Sequence, residues 1–422
     1  MTYLNTQKLE VESQPRLFSK IARNKLESHL MAIPQGVLTI DDGRNIKSFG
    51  TKKSQNDVCA TMHIHDSSAF EDICLGGTIG AAEAYMQGKW SSPNLVNLVR
   101  LMSINISYLH DLDGTTSLIK RLSNAALHWI NRNTSTKAKK NIAAHYDLGN
   151  EFFDLFLDPE MMYSSAIFPH SDAGLDEAAV YKLDVICKKL DLTESDRLLE
   201  IGSGWGGMAI YAAKNYGCHV TTTTISKQQY QEATRRVKAA GLEDKVTILF
   251  EDYRDLEGCY DKLVSVEMIE AVGHEFYPQY FKKCASLLKS DGLMLLQAIT
   301  IPDQRFNDAQ NSVDFIQRYI FPGGSLPGHE IIMSSIKKYT DMQMVGMQEI
   351  GTDYAKTLSI WRERFLSKLD QTKALGFDNV FIRMWDYYLC YCQGAFTERV
   401  IGATQILFAK PGWRRSGEQT PY

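Results

Sequence analysis

The amino-acid sequence predicts a doubly wound α/β domain preceded by a smaller domain of mixed structure, on three observations. Five strand-like runs, at 197–201, 220–225, 245–251, 262–266 and 293–299, alternate with helical stretches, the pattern of a parallel sheet covered on both faces. The first run ends in a glycine turn, Gly202-Ser203-Gly204-Trp205-Gly206-Gly207, which leads into a helical stretch from Met208 to Tyr216. The chain has 422 residues, enough for two domains, and its composition turns polar and basic between Asn131 and Lys140. The expected division is therefore an N-terminal domain over 1–130, a linker over 131–143 and the α/β domain over 144–422. Two late extended runs, 342–348 and 404–409, would widen the sheet.

Composition excludes several classes. Apolar residues make up 44% and charged residues 23%, as in ordinary globular proteins. No stretch approaches the roughly 20 apolar residues of a spanning helix, and the first sixteen residues lack the basic-then-apolar order of a secretory signal. A formal net charge of −4 speaks against wholesale phosphate neutralisation, and so against a nucleic-acid partner. The eight cysteines form no CxxC unit, which indicates neither zinc nor a disulfide framework, and reduced thiols in the cytoplasm are the simplest account.

In the N-terminal part, the run Gly36 to Ile40, the turn Asp41-Asp42-Gly43 and the run Ile46 to Phe49 read as a hairpin. Residues 60–65 read as a further strand, with His63 and His65 on one face. Two histidines with no third ligand nearby read better as a polar strand face than as a metal site. Ser92-Pro93 is expected to open a helix, Ser92 as its cap and Pro93 at its first position, with Leu95, Leu98, Val99 and Met102 at helical spacing.

The glycine turn is the strongest chemical signal. Glycines admit positive φ and let a ligand lie against the backbone. Its spacing is GxGxG rather than the dinucleotide GxGxxG/A, and Glu200 stands just before the first glycine, where methyltransferases place an acid near the methionine end of S-adenosylmethionine. The second strand ends without the usual Asp or Glu for the ribose, so Thr224, Ser226 or Gln229 must serve. After the third strand Asp252 is the expected acceptor for the adenine amino group, and Tyr253 would pack on the base. Arg254 and Asp255 read as a surface ion pair.

From about Ala144 onward these pieces resemble the cyclopropane-fatty-acyl-phospholipid synthases and their mycolic acid relatives. The resemblance rests on His145-Tyr146-Asp147-Leu148-Gly149-Asn150, Met162-Tyr163-Ser164-Ser165-Ala166, the glycine turn with Trp205, Thr224-Ile225-Ser226-Lys227-Gln228-Gln229 and Val264-Ser265-Val266-Glu267-Met268-Ile269-Glu270. It continues in Tyr319-Ile320-Phe321-Pro322-Gly323-Gly324, Asp353-Tyr354 and Cys392-Gln393-Gly394-Ala395-Phe396. It implies a Rossmann-like class I methyltransferase fold, with cofactor contacts from Tyr163, Ser164, the turn through Gly206, the segment Thr224 to Gln229 with Ile225, and Tyr253 with Arg254.

The implied reaction is methyl transfer to the cis double bond of an unsaturated phospholipid acyl chain, followed by loss of a proton and closure of a cyclopropane ring. The family's base is a bound bicarbonate. Glu270 and Tyr354 match the side chains that hold it, while Ser165 and Ile299 match positions offering backbone N–H groups. Cys392 matches a cysteine sometimes counted as active; with no base beside it in sequence, it reads as a substrate-channel residue. Two departures stand out. Ser165 replaces a usual Cys, and Gln297 replaces a usual His, so this position donates a hydrogen bond but cannot titrate. Ala271 also departs from the common polar neighbour of Glu270. A methylene- or methyl-branched product is therefore an alternative to the ring, and a small-molecule O-, N- or S-methyltransferase is a more distant one.

Access to lipid requires docking from the side, peripherally on the inner face of the membrane. Residues 14–30 form a basic amphipathic candidate, with Arg16, Lys20, Arg23 and Lys25 beside Leu17, Phe18, Ile21, Leu26 and Leu30. Such a helix also serves simply to pack its apolar stripe on its own domain. The lysines of 131–140 can touch lipid phosphates or act as a solvated connector. The aromatic stretch from Met384 to Leu389, with Phe396, would line an acyl tunnel or a core. A homodimer is usual among similar enzymes.

Overall fold

The computed structural model describes residues 17–113, 148–310 and 312–414. The expected linker, with its lysines, and the motif residues 145–147 lie outside the described residues.

In the N-terminal domain, β1 (Gly36–Asp41) and β2 (Ile46–Thr51) form the expected antiparallel hairpin. Its turn is held by Asp42, whose carboxylate accepts from Asn45 N at 2.6 Å, with Gly43 at φ 76°. β3 (Cys59–Ile64) pairs parallel to β1, and β4 (Trp90–Ser91) completes the order β2-β1-β3-β4. His63 faces Asp41 at 3.2 Å and His65 faces Ser91 Oγ at 2.7 Å, the polar strand face expected of them. The helix Leu95–Ile104 buries Leu95, Leu98 and Val99 as its spacing implies. Its cap is Asn94 and not Ser92: Asn94 Oδ1 accepts from Asn97 N at 2.9 Å, so the polar residue nearest the first turn takes the role.

The helix Leu17–Leu30 corrects the expected stripe. Ala22 and Leu30 turn inward, whereas Phe18 and Ile21 stay 72% and 58% exposed.

The second domain is built on a seven-stranded sheet. Its strands are β5 (Arg197–Ile201), β6 (His219–Thr223), β7 (Val246–Leu249), β8 (Tyr260–Val266), β9 (Leu288–Thr300), β10 (Gln343–Glu349) and β11 (Gly402–Ala409). Their order is β10-β11-β9-β8-β5-β6-β7. The pairs β5–β6, β5–β8, β6–β7 and β8–β9 are parallel, and β11 runs antiparallel to both β9 and β10.

Alternation along the strands sends side chains to two separate cores. Leu199, Leu263, Met294 and Leu296 meet the helices Tyr277–Leu287 and His329–Tyr339 on one face. Leu198, Val264, Leu293 and Leu295 meet Leu175–Lys189 and Gly207–Tyr216 on the other. The strand order reverses between β5 and β8, and the crevice beyond the carboxyl ends of those strands is where such sheets bind ligands. The glycine turn follows β5 and the acidic segment Glu267 to Glu270 follows β8.

The two domains meet along the helix Asn379–Thr397. Asp386 accepts from Tyr85 OH at 2.8 Å on one oxygen and from Arg362 Nε at 2.6 Å on the other. Arg383 reaches Trp90 O at 2.9 Å, and Arg100 pairs with Glu398 at 2.6 Å. Gly394 is required here, because a Cβ would stand 2.6 Å from Val99 Cγ1.

Candidate active site

β5 delivers Glu200, buried at 3% exposure, to the mouth of the glycine turn. Burial lifts its pKa to about 8 with Thr222's hydroxyl drawing it the other way, although neither Thr222 Oγ1 nor Glu200 Oε2 reaches hydrogen-bond geometry. An orphaned carboxylate oxygen in such a place calls for a donor from outside the chain. Gly202 and Gly204 have φ 97° and 49°, and a Cβ on Gly204 would meet nothing within 4 Å, so the space above the turn is open. Trp205 lies beneath it, its indole N–H on Asn150 Oδ1 at 2.7 Å. These features fit the methionine end of S-adenosylmethionine.

The end of β6 is a closed polar knot. Thr224 Oγ1 donates to Gln229 Oε1 at 2.8 Å and accepts from Ser226 N at 3.1 Å, while Ser226 caps the helix Lys227–Ala239. Ile225 is half-buried between them. After β7, Arg254 pairs with Asp252 and not with Asp255, forking both carboxylate oxygens at 2.8 and 2.6 Å. The backbone turn, with Arg254 N on the same carboxylate at 3.0 Å, folds Arg254 back over it. Asp252 is thereby fixed at 5% exposure, and Arg254 also lies over the Tyr253 ring at 5.5 Å.

Beside the glycine turn stands a second cluster that sequence reasoning did not assemble. Glu267 Oε1 accepts from Ser165 N at 2.9 Å and Gln297 Nε2 at 2.8 Å, and its Oε2 accepts from Tyr354 OH at 2.7 Å. Ser165's hydroxyl donates to Ala166 O at 2.9 Å, while its backbone serves the site, the N–H on Glu267 and the carbonyl accepting from Gln297 Nε2 at 3.3 Å, so Ser in place of Cys is accommodated. Ile299 N instead donates to Glu270 Oε1 at 2.5 Å, and Glu270 Oε2 is buried without a partner. Burial, with the neighbouring Glu267 charge adding, pushes Glu270 up to about 8; burial also raises Glu267.

The groups expected to hold bicarbonate are thus divided between two side-chain carboxylates. Three of the expected donors serve Glu267 and the fourth serves Glu270, and the residues present do not fit a separate anion on those donors.

Lys182 and Asp158 were also missed. Lys182 is fully buried, with Nζ on Ser164 Oγ at 2.6 Å; burial brings its pKa down to about 8 against the pull of Glu267 and Asp158. Burial raises Asp158 to about 6 against the same lysine. The signals were present: Lys182 falls in register with Ala178, Ala179 and Ile186 on the buried stripe of its helix, and Glu267 ends an apolar strand as Glu200 does.

Aromatic rings close the site. Tyr163 stacks on Trp361 at 5.3 Å and shares a hydrogen bond with Tyr388 at 3.0 Å, and Tyr354 stacks on Phe396 at 4.5 Å. Trp205, Tyr354, Trp361, Trp385 and Phe396 belong to one apolar cluster that continues into the N-terminal domain. Burial raises the Cys392 thiol well above its ordinary value, which makes it a wall and not a nucleophile. Gly202, Gly204, Tyr163, Glu267, Glu270, Ile299 and Cys392 all retain accessible surface among fully buried neighbours. Burial dominates the titration of Glu267, Glu270 and Cys392, so they keep that surface deep within the fold.

A seven-stranded sheet of this order, with an open glycine turn and an orphaned acid at the switch point, defines an S-adenosylmethionine-dependent methyltransferase. The chain belongs to the mycolic acid cyclopropane synthetase family, whose model matches residues 133–406. It is 36% identical over 389 residues to the tuberculostearic acid methyltransferase UfaA1 of Mycobacterium tuberculosis, covering 87% of this chain and 88% of that one. It is 36% identical over 357 residues to the cyclopropane-fatty-acyl-phospholipid synthase of Escherichia coli K12, covering 83% and 88%. The structure of mycolic acid cyclopropane synthase CmaA1 complexed with SAH and CTAB superimposes with a TM-score of 0.60 at 31% identity, over 64% of this chain and 98% of that one.

Proposed function

We propose that the protein methylates the cis double bond of unsaturated fatty acyl chains in phospholipids, with a cyclopropane ring as the product. The observation that carries this reading is the apolar setting of the site. The glycine turn and two carboxylates stand beside an aromatic and aliphatic cluster of the kind that would receive a hydrocarbon chain.

S-adenosylmethionine, when bound, supplies an electrophilic methyl group. Glu200 would hold its amino group, Asp252 its adenine, and the Thr224–Gln229 knot its ribose. The walls then have one task and the carboxylates another. Tyr163, Trp361 and Phe396 keep water away from the positive charge that alkylation leaves on the acyl chain, and their ring faces attract it. A carboxylate beside that charge accepts one proton.

A second reading, a methylene- or methyl-branched product, is favoured by the similarity to a tuberculostearic acid methyltransferase and by Gln297 in place of a titratable histidine. Either reading calls for a protein that meets the bilayer from the side. No described helix is long and apolar enough to cross a membrane, and exposed Phe18 and Ile21 flank Lys20 on one helix.

Lipids from a host that makes only monounsaturated chains, expressing this protein, test the proposal. Upfield ring protons in the proton spectrum indicate cyclopropane, and terminal alkene or new methyl signals indicate the branched product. Acyl chains of unaltered mass would refute both.

A further inference from the structure

We infer that Glu267 is the built-in proton acceptor of this site: its carboxylate stands on the donors that would otherwise hold a bicarbonate ion, so turnover needs no dissolved anion. This rests on the proposed alkylation of a double bond and adds the identity of the base.

The geometry carries the argument. A bicarbonate in this place would need N–H and O–H donors converging on its oxygens. Ser165 N–H, the Gln297 amide and the Tyr354 hydroxyl do converge, within 2.7–2.9 Å, but on Glu267. An ionised carboxylate offers about four lone-pair sites. Three are taken, two on Oε1 and one on Oε2, and the fourth, on Oε2, is left for an incoming proton. Three donors aimed at one carboxylate favour its charged form. Burial raises the Glu267 pKa overall, and the Lys182 ammonium, whose charge acts on it, works with those donors in the opposite direction.

Glu270 is placed differently. It receives a single backbone donor, its other oxygen is orphaned, and its pKa of about 8 leaves it largely protonated at neutral pH. Two neighbouring buried carboxylates do not both ionise readily. Glu270 keeps its proton, and Glu267 is the member free to accept one.

The backbone is consistent with a position held for its side chain. Glu267 has φ 51°, in the left-handed region, which L side chains disfavour. Its own N–H is tied to Gln297 O at 2.8 Å, so the strand β9 that carries the amide donor also sets this turn.

In the step itself, the methyl group added to one alkene carbon leaves the other carbon cationic. A C–H bond of that methyl breaks, and its electron pair forms the third ring bond to the cationic carbon. The proton passes to Glu267 Oε2 and is released to water once the product has left. If a hydride first moves from the methyl-bearing carbon to its cationic neighbour, loss of a methyl proton to the same acceptor instead forms a C=C bond to the methyl carbon and gives the methylene chain.

The test uses the full chain, S-adenosylmethionine, and vesicles of monounsaturated phosphatidylglycerol in carbon-dioxide-free buffer. Wild-type turnover is expected to change less than about twofold when millimolar bicarbonate is added. Glu267→Gly, which also relieves the backbone, is expected to lose about a hundredfold or more, to bind S-adenosylmethionine as before by calorimetry, and to regain turnover with added bicarbonate. A wild-type enzyme that turns over only with bicarbonate overturns the inference and leaves the function standing; this arm decides even where the variant fails to fold. Full activity of Glu267→Gln overturns it as well. No product from wild type with or without bicarbonate sinks the alkene reading, and the inference with it.

Discussion

Across adjacent strands β9 and β11, Gln405 donates from Nε2 to Gln297 Oε1 at 2.9 Å. The direction is forced from further away. Lys189, which has only donors, occupies Gln405 Oε1 at 2.7 Å, so the Gln405 amide nitrogen must face Gln297. The Gln297 amide nitrogen must in turn face Glu267. A buried lysine thereby orients two amides and delivers a donor to Glu267.

Gln405→Leu breaks that chain. Gln297 is then free to flip its oxygen toward Glu267, which costs a charge-assisted hydrogen bond of about 1.5–3 kcal/mol. Turnover on olefinic vesicles is expected to fall about tenfold to a hundredfold, with S-adenosylmethionine affinity unchanged. Equal turnover in the variant would free Gln297 from this role.

Gly204→Val is expected to abolish cofactor binding in calorimetry. Its φ of 49° disfavours any side chain, and the open space above it is where the ligand would lie. Thermal unfolding provides the control, since a left-handed valine alone costs about 1–2 kcal/mol. Normal binding would move the site elsewhere.

Glu200 sets a pH dependence of stability. Its folded pKa of about 8 lies above the usual 4.5, so the folded state holds a proton that the unfolded state releases. The resulting stabilisation is complete below about pH 4.5 and declines as pH rises toward 8. Glu200→Gln removes this slope, so the gap in melting temperature between variant and wild type should widen in the variant's favour from pH 5 to pH 8. The full effect corresponds to a few kcal/mol. A constant gap across that range would mean that Glu200 is not protonated in the ligand-free protein.

Phe18→Asp combined with Ile21→Asp tests docking. Both side chains are largely exposed, so the melting temperature should hold while sedimentation with anionic phospholipid vesicles falls several-fold. Undiminished sedimentation would move the docking surface to another face.

The architecture was legible wherever the physics is local. Strand alternation, the glycine turn and the hairpin at Asp41-Asp42-Gly43 each announce themselves within a few residues. The helix cap slipped from Ser92 to Asn94, because two capable polar residues stand side by side and only the final turn geometry chooses between them. The Arg254 partner was misassigned for a related reason: Asp252 and Asp255 both lie within reach, and the backbone turn decides. Glu267 was visible as an acid ending a buried strand. Its importance depends on donors 102, 30 and 87 residues away in sequence, and no window along the chain brings those together.

Asp386 takes its two partners from opposite sides of the domain boundary, and the same helix carries Tyr388, which bonds Tyr163, and Cys392. The small domain therefore braces the helix on which those side chains stand. A chain trimmed to its family-matched portion would leave Arg362 sharing an aspartate with water, and would bare the groove that Val99 fills against Gly394.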